Sequence, residues 1–333
     1  MARGHDVHLA SPGKPVPIAG VTLHRLRLPR VPAALRVLML AAAARRTARS
    51  GRWHVVQSHE RTLCQHVYRA GEGCHRAYLE STSWPRGRAL HHRVVLALEK
   101  RVFARTPRIV AIARRGKREI EALYAVPPER VRVIYNGVDL ERFHPDNAAV
   151  HRTRARAEAA LTVREHVLLF VGTGFERKGL ATAILALPRL ADSHMIVIGR
   201  GDEAPYRGLA ERLGVGRRVR WLGLRPDIER WYAAGDVLVL PTRYEPFGNV
   251  HLEALASGLP VVTTTEAGGN EVVEEGKTGA IVPPGDALEL ASAVEGLRGQ
   301  DRAARASAAR QAAEPFTFAR QAEQFERLYR EIP

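Results

Sequence analysis

Cysteine is nearly missing from this chain: two residues in 333, Cys64 and Cys74. They fit no metal-binding spacing and demand no disulfide, which excludes a disulfide-stapled scaffold and leads us to expect a reduced, cytoplasmic protein. Long apolar runs are missing too. The patch Val37–Ala44 (VLMLAAAA) is too short to span a bilayer and is followed by Arg45-Arg46. The N-terminal ARGHDVHLAS lacks the apolar core of a secretory signal. The fourteen histidines are scattered without an H-E-x-x-H pair, and no D-x-D pair of carboxylates occurs, so no metal is expected. Gly172-Thr173-Gly174 lacks the later positions of a dinucleotide or P-loop fingerprint. Lysine is scarce as well, five of 51 basic residues, which fits a general preference for arginine codons.

That preference does not explain where the charge lies. Residues 1–145 hold 27 Lys+Arg against 10 Asp+Glu, leaving 24 against 25 in the remainder, so the first half carries the whole excess of +16. Such asymmetry points to an anionic partner for that half: a membrane surface, a phosphorylated glycolipid or a nucleic acid. No nucleic-acid recognition motif or pattern of stacking aromatics accompanies the charge, which argues against the last.

At 45% hydrophobic, the chain can bury two cores. Short β-branched runs alternate with alanine-rich helical stretches, the pattern of parallel α/β sheets. Strands are expected at Val7–Ala10, Val21–Leu26, His54–Ser58, His66–Tyr68, Arg108–Ile112 and Val131–Ile134 in the first half. In the second they are expected at Val167–Val171, Met195–Ile198, Val219–Leu222, Val237–Leu240, Val261–Thr264 and Gly279–Val282. Helices are expected over Pro32–Ser50, Arg88–Ala104, Arg115–Tyr124, Lys178–Leu190, Tyr206–Leu213, Asp227–Ala234 and Thr317–Tyr329. The polar, alanine-rich stretch 146–162 reads as a link between domains 1–145 and 163–314, with the last helix in 315–333.

The most informative segment is Tyr244–Thr265, YEPFGNVHLEALASGLPVVTTT. Glu245 precedes a Pro-Phe-Gly-Asn turn, Asn249 reads as a helix N-cap, Glu253 lies inside that helix, and Gly258 ends it before Pro260 opens a strand. A turn feeding a helix N-terminus favours an anion, and adjacent carboxylates accept from sugar hydroxyls. The ligand suggested is a nucleoside diphosphate sugar. A surface loop and helix carrying two solvated glutamates fits the spacing equally well.

Glu245 and Glu253, eight apart, resemble the E-x7-E motif of the retaining glycosyltransferases of family 4. The segments VIYNGVDLERFHP (Val133–Pro145), GTGFERKGL (Gly172–Leu180), VLVLP (Val237–Pro241) and AGGNEVVEEGKTGAIVPPGD (Ala267–Asp286) are similar to that family in the same order. HVYRAGEGCHRAYLE (His66–Glu80) and HHRVVLALEKRVF (His91–Phe103) resemble the lipopolysaccharide-core glucosyltransferase I type more particularly. The resemblance implies a GT-B fold, with two Rossmann-like domains facing each other across a cleft and a C-terminal helix that often crosses back to the first domain. It implies that Arg177 and Lys178 hold the donor diphosphate, helped by Gly248, Asn249 and Val250. Glu253 would take the ribose, while Glu245 and Phe247 would line the sugar pocket. The base would fall near Leu224–Arg225. In the first half, Glu72 stands where related enzymes tend to carry an aspartate facing the reaction centre, and His59 and Glu60 are candidates for orienting the acceptor. His75 reads as an ordinary loop histidine.

The reaction implied is metal-independent transfer of a hexose, glucose by default, with retention. The acceptor would be a glycan or a lipid-linked or lipopolysaccharide-core molecule, met at the inner face of the cell membrane. Family members begin with a strand, a Gly-rich loop and a helix ahead of the segment resembling ARGHDVHLAS, and Met1 stands where that helix would be ending. Losing a central strand would uncover two strand edges, so a natural start further upstream is expected; a catalytically inactive donor-binding homologue is the alternative.

Overall fold

The computed structural model describes residues 4–13, 16–51, 53–82, 89–299 and 301–332. The chain divides into two units: the first runs to Val133 and takes in the last residues from Arg327, and the second is Ile134–Glu326.

In the first unit, β1 (Val7–Pro12) and β2 (Val21–Leu26) pair in parallel with Val7 opposite Val21, and α1 (Ala33–Ser50) packs against both. A separate sheet holds β3 (Gln57–Ser58), β4 (Val67–Ala70), β5 (Arg108–Ala111) and β6 (Val131–Val133), side by side in chain order and all parallel. Its helices are α2 (His75–Ser81), α3 (Ala89–Arg105) and α4 (Arg114–Tyr124). Tyr68, Val102, Phe103, Ile109, Ile120 and Val131 are buried together, so strand faces and helix stripes share one core. Two expectations change here. The strand expected over His54–Ser58 shortens to two residues, and α2 was not foreseen because seven residues without apolar periodicity give no helical signal. The expected start of α3 at Arg88 lies outside the described residues.

The second unit begins before the expected link. Its α5 (Asn147–Glu158) lies within 146–162 and packs on α8 (Ile228–Ala234). Arg156 of α5 is fully buried, with Nη2 2.6 Å from Asp236, while Arg152 reaches the other carboxylate oxygen at 2.5 Å. Buried charges persist when paired. The polar composition that reads as linker includes the docked face of a helix, whose Arg152 and Arg156 are held against Asp236. The unit's six-stranded parallel sheet contains β7 (His166–Val171), β8 (Ser193–Ile198), β9 (Val219–Gly223), β10 (Val237–Leu240), β11 (Val261–Thr264) and β12 (Gly279–Val282). Their order is β12-β11-β10-β7-β8-β9. The central strands are apolar and buried on both faces, as parallel strands sandwiched by helices must be. Helices α6 (Leu180–Ala186), α7 (Ala204–Arg212), α9 (Val250–Ala256), α10 (Ala287–Arg298) and α11 (Arg302–Ala313) complete the unit.

The last helix, α12 (Phe318–Arg330), starts in the second unit and ends in the first. At its end Tyr329 Oη donates to Gln57 Oε1 at 2.8 Å, and Glu331 lies 3.5 and 3.6 Å from Arg108 and Arg132. Among the described residues no helix is long and apolar enough to cross a membrane.

Candidate functional site

In the second sheet the winding direction reverses between β7 and β10. Loops leaving the carboxyl ends of two such strands part to opposite faces, and the crevice they leave is where open α/β sheets bind ligands. The loop after β7 carries Arg177 and Lys178; the loop after β10 carries Tyr244 through Asn249. The two loops are knitted together. Arg243 N–H and Thr242 Oγ1 donate to Arg177 O at 2.9 and 2.8 Å, and a Cβ on Gly179 (φ +76°) would stand 1.8 Å from Pro241 O. Only glycine fits that crossing.

Arg177 Nη1 donates to Tyr244 O at 2.9 Å and to Glu245 Oε2 at 2.7 Å, and Lys178 Nζ donates to the same carboxylate oxygen. Lys178 lies along Gly172, where a Cβ would meet three of its side-chain carbons at 3.2–3.3 Å. Lys178 is 7% and Glu245 8% exposed beside a half-buried Arg177, so two cations share one largely buried anion. Burial pushes the Glu245 pKa up, but Lys178 and Arg177 outweigh it and hold the carboxylate below its ordinary range. Burial lowers Lys178 below its ordinary value despite Glu245, helped by repulsion from Arg177. The site is one positive charge in excess, an arrangement that favours a further anion.

Glu253 sits on α9, where its Oε2 accepts from Tyr232 Oη of α8 at 2.8 Å; burial raises its pKa. Asn249 precedes α9 as expected, but its side chain does not cap the helix. Its backbone is already αR and its Oδ1 accepts from Asn136 Nδ2 at 2.6 Å, so the residue is tied to the chain's entry into this unit. Phe247 is fully buried beside Tyr135. Gly248, Asn249 and Val250 join this cluster at the start of α9. Behind them His251 is wholly buried between Gly248 O and Thr263 Oγ1, both at 2.8 Å, and burial lowers its pKa to about 4.

Leu224 and Arg225 do not join the group. They follow β9, the edge strand two places from β7, where Leu224 is exposed and Arg225 lies over the Trp231 ring at 5.4 Å.

The first unit brings its own candidates together. His59 and Glu60 follow β3, and Glu72 lies in the turn after the neighbouring β4. Glu72 is exposed and 3.1 Å from Arg61 Nη1; Arg61 in turn reaches the fully buried Glu99 of α3 at 3.1–3.2 Å. Glu99 also accepts from Tyr124 Oη and from the N–H groups of His75 and Arg76. Burial and the nearby Glu72 raise Glu60; burial and Arg69 lower His59. His75 opens α2 instead of lying in a loop, with Nε2 3.0 Å from His92 Nδ1, and burial lowers it to about 4.

Asn136, Tyr135, Tyr232 and Arg61 escape a reading of the sequence. Their partners lie 11 to 136 residues away, and no local pattern announces such pairs.

Residues 1–142 match the family model described as Glycosyltransferase Family 4, and residues 165–299 match Glycosyl transferases group 1. Over 207 residues the chain is 33% identical to the D-inositol 3-phosphate glycosyltransferase of Mycobacterium sp. strain KMS, covering 60% of this chain and 46% of that protein. The chain spans about half the length of the curated relatives it matches. Its structure is similar to that of WaaG, a glycosyltransferase involved in lipopolysaccharide biosynthesis, with a TM-score of 0.83 at 23% identity over 99% of this chain and 92% of that one. It is also similar to Anabaena Alr3699/HepE in complex with UDP-glucose, with a TM-score of 0.71 at 21% identity over 93% and 86%.

Proposed function

We propose that this chain, a GT-B protein with a family 4 glycosyltransferase domain followed by a group 1 domain, moves a hexose from a nucleoside diphosphate sugar to a glycan or lipid-linked acceptor with retention. The observation that carries the reading is the meeting of Arg177, Lys178 and Glu245 where the strand order reverses. UDP-glucose is the default donor, because a structural neighbour binds it.

Arg177 and Lys178 take the diphosphate and bear the charge that a metal ion would otherwise carry as the leaving group departs. Glu245 is released from them when the phosphates arrive and turns to the sugar hydroxyls; the backbone of Phe247, Gly248, Asn249 and Val250 completes the pocket. Glu253 accepts from the ribose hydroxyls, and Leu224–Arg225 is the proposed base contact. The bond between the anomeric carbon and the β-phosphate oxygen breaks with its electron pair passing to phosphate. The acceptor oxygen bonds to the same face of the sugar, and its proton passes to the leaving phosphate oxygen. Glu72, His59 and Glu60 serve the acceptor side. The basic first half holds the enzyme reversibly on the anionic inner face of the cell membrane.

The test is a transfer and donor-hydrolysis screen with UDP-, GDP- and ADP-sugars, with and without chelator, comparing the protein with Arg177→Ala and Lys178→Ala. Chelator-resistant turnover with the donor's anomeric configuration, lost in both variants, is expected. UDP binding without turnover of any donor would mean a binding-only homologue; turnover abolished by chelator would end the metal-free mechanism.

A further inference from the structure

The first unit holds a cavity of about 630 Å³ that none of the roles above uses. It lies where β1 and β2 end and α1 begins, and it is lined by Arg25, Arg27, Arg30 and Arg36. Its volume falls inside the roughly 300–1,000 Å³ of small-molecule sites. As in the second unit, it opens at the carboxyl ends of parallel strands, here Pro12 and Leu26. None of the four guanidinium groups pairs with a carboxylate among the described residues, although this chain pairs many of its other arginines: Arg61, Arg115, Arg142, Arg152 and Arg156 all do. Four unneutralised cations around one concavity repel one another and focus a positive potential into it. Arg25 stands on β2 and Arg36 on α1, and the loop between them, which carries Arg27 and Arg30, is stiff. Pro29 and Pro32 flank Arg30 and Val31, fixing φ on either side, and Leu26 anchors the start in the core.

We infer that this cavity binds a phosphomonoester or phosphodiester group. A phosphate offers oxygens that accept paired N–H bonds from planar guanidinium forks, and its charge offsets the repulsion that the empty cavity holds. The site stands on the cavity and its arginines alone; that the phosphate belongs to the acceptor rests on the transferase reading. Two sources share this chemistry: a soluble phosphorylated sugar and a lipid headgroup.

Calorimetric titration of the full chain with glucose 6-phosphate, and with glucose for comparison, tests the inference. The wild type binds the phosphate ester more weakly as salt rises and does not bind glucose. Arg27→Ala with Arg30→Ala weakens binding about tenfold or more, the loss expected for hydrogen bonds to a charged group. Arg45→Ala with Arg46→Ala removes the same charge further along α1 and changes little. All four substituted side chains are exposed, so the melting point is unchanged, and UDP binding by the second unit provides a separate check of folding. Sedimentation with phosphatidic acid vesicles decides the source: greater loss in the Arg27/Arg30 variant than in the Arg45/Arg46 variant assigns a lipid headgroup, and equal loss assigns a soluble ester. Equal affinity for glucose and its phosphate, or equal losses of glucose 6-phosphate binding in both variants, overturns the site. Retained phosphate binding in a chain that transfers no sugar leaves the site and removes its assignment to an acceptor.

Discussion

Replacing Glu245 with glutamine takes the carboxylate that Arg177 and Lys178 share and leaves two cations facing each other. Arg177 is half-buried and can turn toward water; Lys178, at 7% exposure, cannot. Removing one partner of a buried ion pair costs about 3–5 kcal/mol. Glutamine still offers an acceptor oxygen, which puts this case near the lower end, about 3 kcal/mol. For a unit of this size, a melting point falls by ~2–4 °C per kcal/mol, so a drop of ~6–12 °C is expected for the second unit. UDP supplies the missing negative charge, so the deficit should narrow at saturating nucleotide, and the variant should bind UDP at least as tightly as the wild type. Thermal unfolding with and without UDP, beside calorimetric titration, reads both. Adding Lys178→Met to Glu245→Gln should recover stability without recovering UDP affinity. Unchanged melting and unchanged UDP affinity in Glu245→Gln would refute the counterion argument.

Two further predictions concern groups behind the site. His251 is neutral and wholly buried with its pKa lowered to about 4, whereas the unfolded chain takes up that proton near 6.5. The second unit should therefore lose up to about 3 kcal/mol as pH falls from 6.5 toward 4 and little more below that; urea midpoints across this range should flatten in His251→Gln, and an identical pH slope in both proteins would refute the assignment. Tyr232→Phe removes the 2.8 Å bond to Glu253 and should cost about 1–3 kcal/mol. If Glu253 serves the ribose, donor KM rises severalfold with kcat nearly kept; a collapse of kcat at constant KM would place Glu253 in the chemistry instead.

What the sequence makes legible follows burial. The strands β10, β11 and β12 were expected with their observed ends, because their short β-branched and apolar runs stop where turn residues begin. The Rossmann-like architecture was expected from family resemblance alone, since strand order leaves no local trace. Arg177, Lys178 and Glu245 were named, yet their ion pairing was not, because it joins residues 67 and 68 apart. Asn249 was placed correctly and given the wrong partner for the same reason: Asn136 lies 113 residues upstream and outbids the helix for its side chain. The stretch 146–162 was misread where composition and burial part company, since nothing local says that Arg156 will meet Asp236.

That docking of α5 has a consequence for recombination between related proteins. Tyr135 to Glu271, Asn136 to Asn249, and Arg152 and Arg156 to Asp236 are all matched pairs across the stretch where a chimera would naturally be spliced. A crossover after residue 145 or 162 would bring in foreign partners for Glu271 and Asn249, and one after 162 for Asp236 as well. A crossover at Val133 keeps every pair within one parent, while Tyr329 and Glu331 must travel with the front half, because Gln57, Arg108 and Arg132 receive them. The transplantable piece is thus a middle segment, and its two seams lie at Val133 and at Glu326.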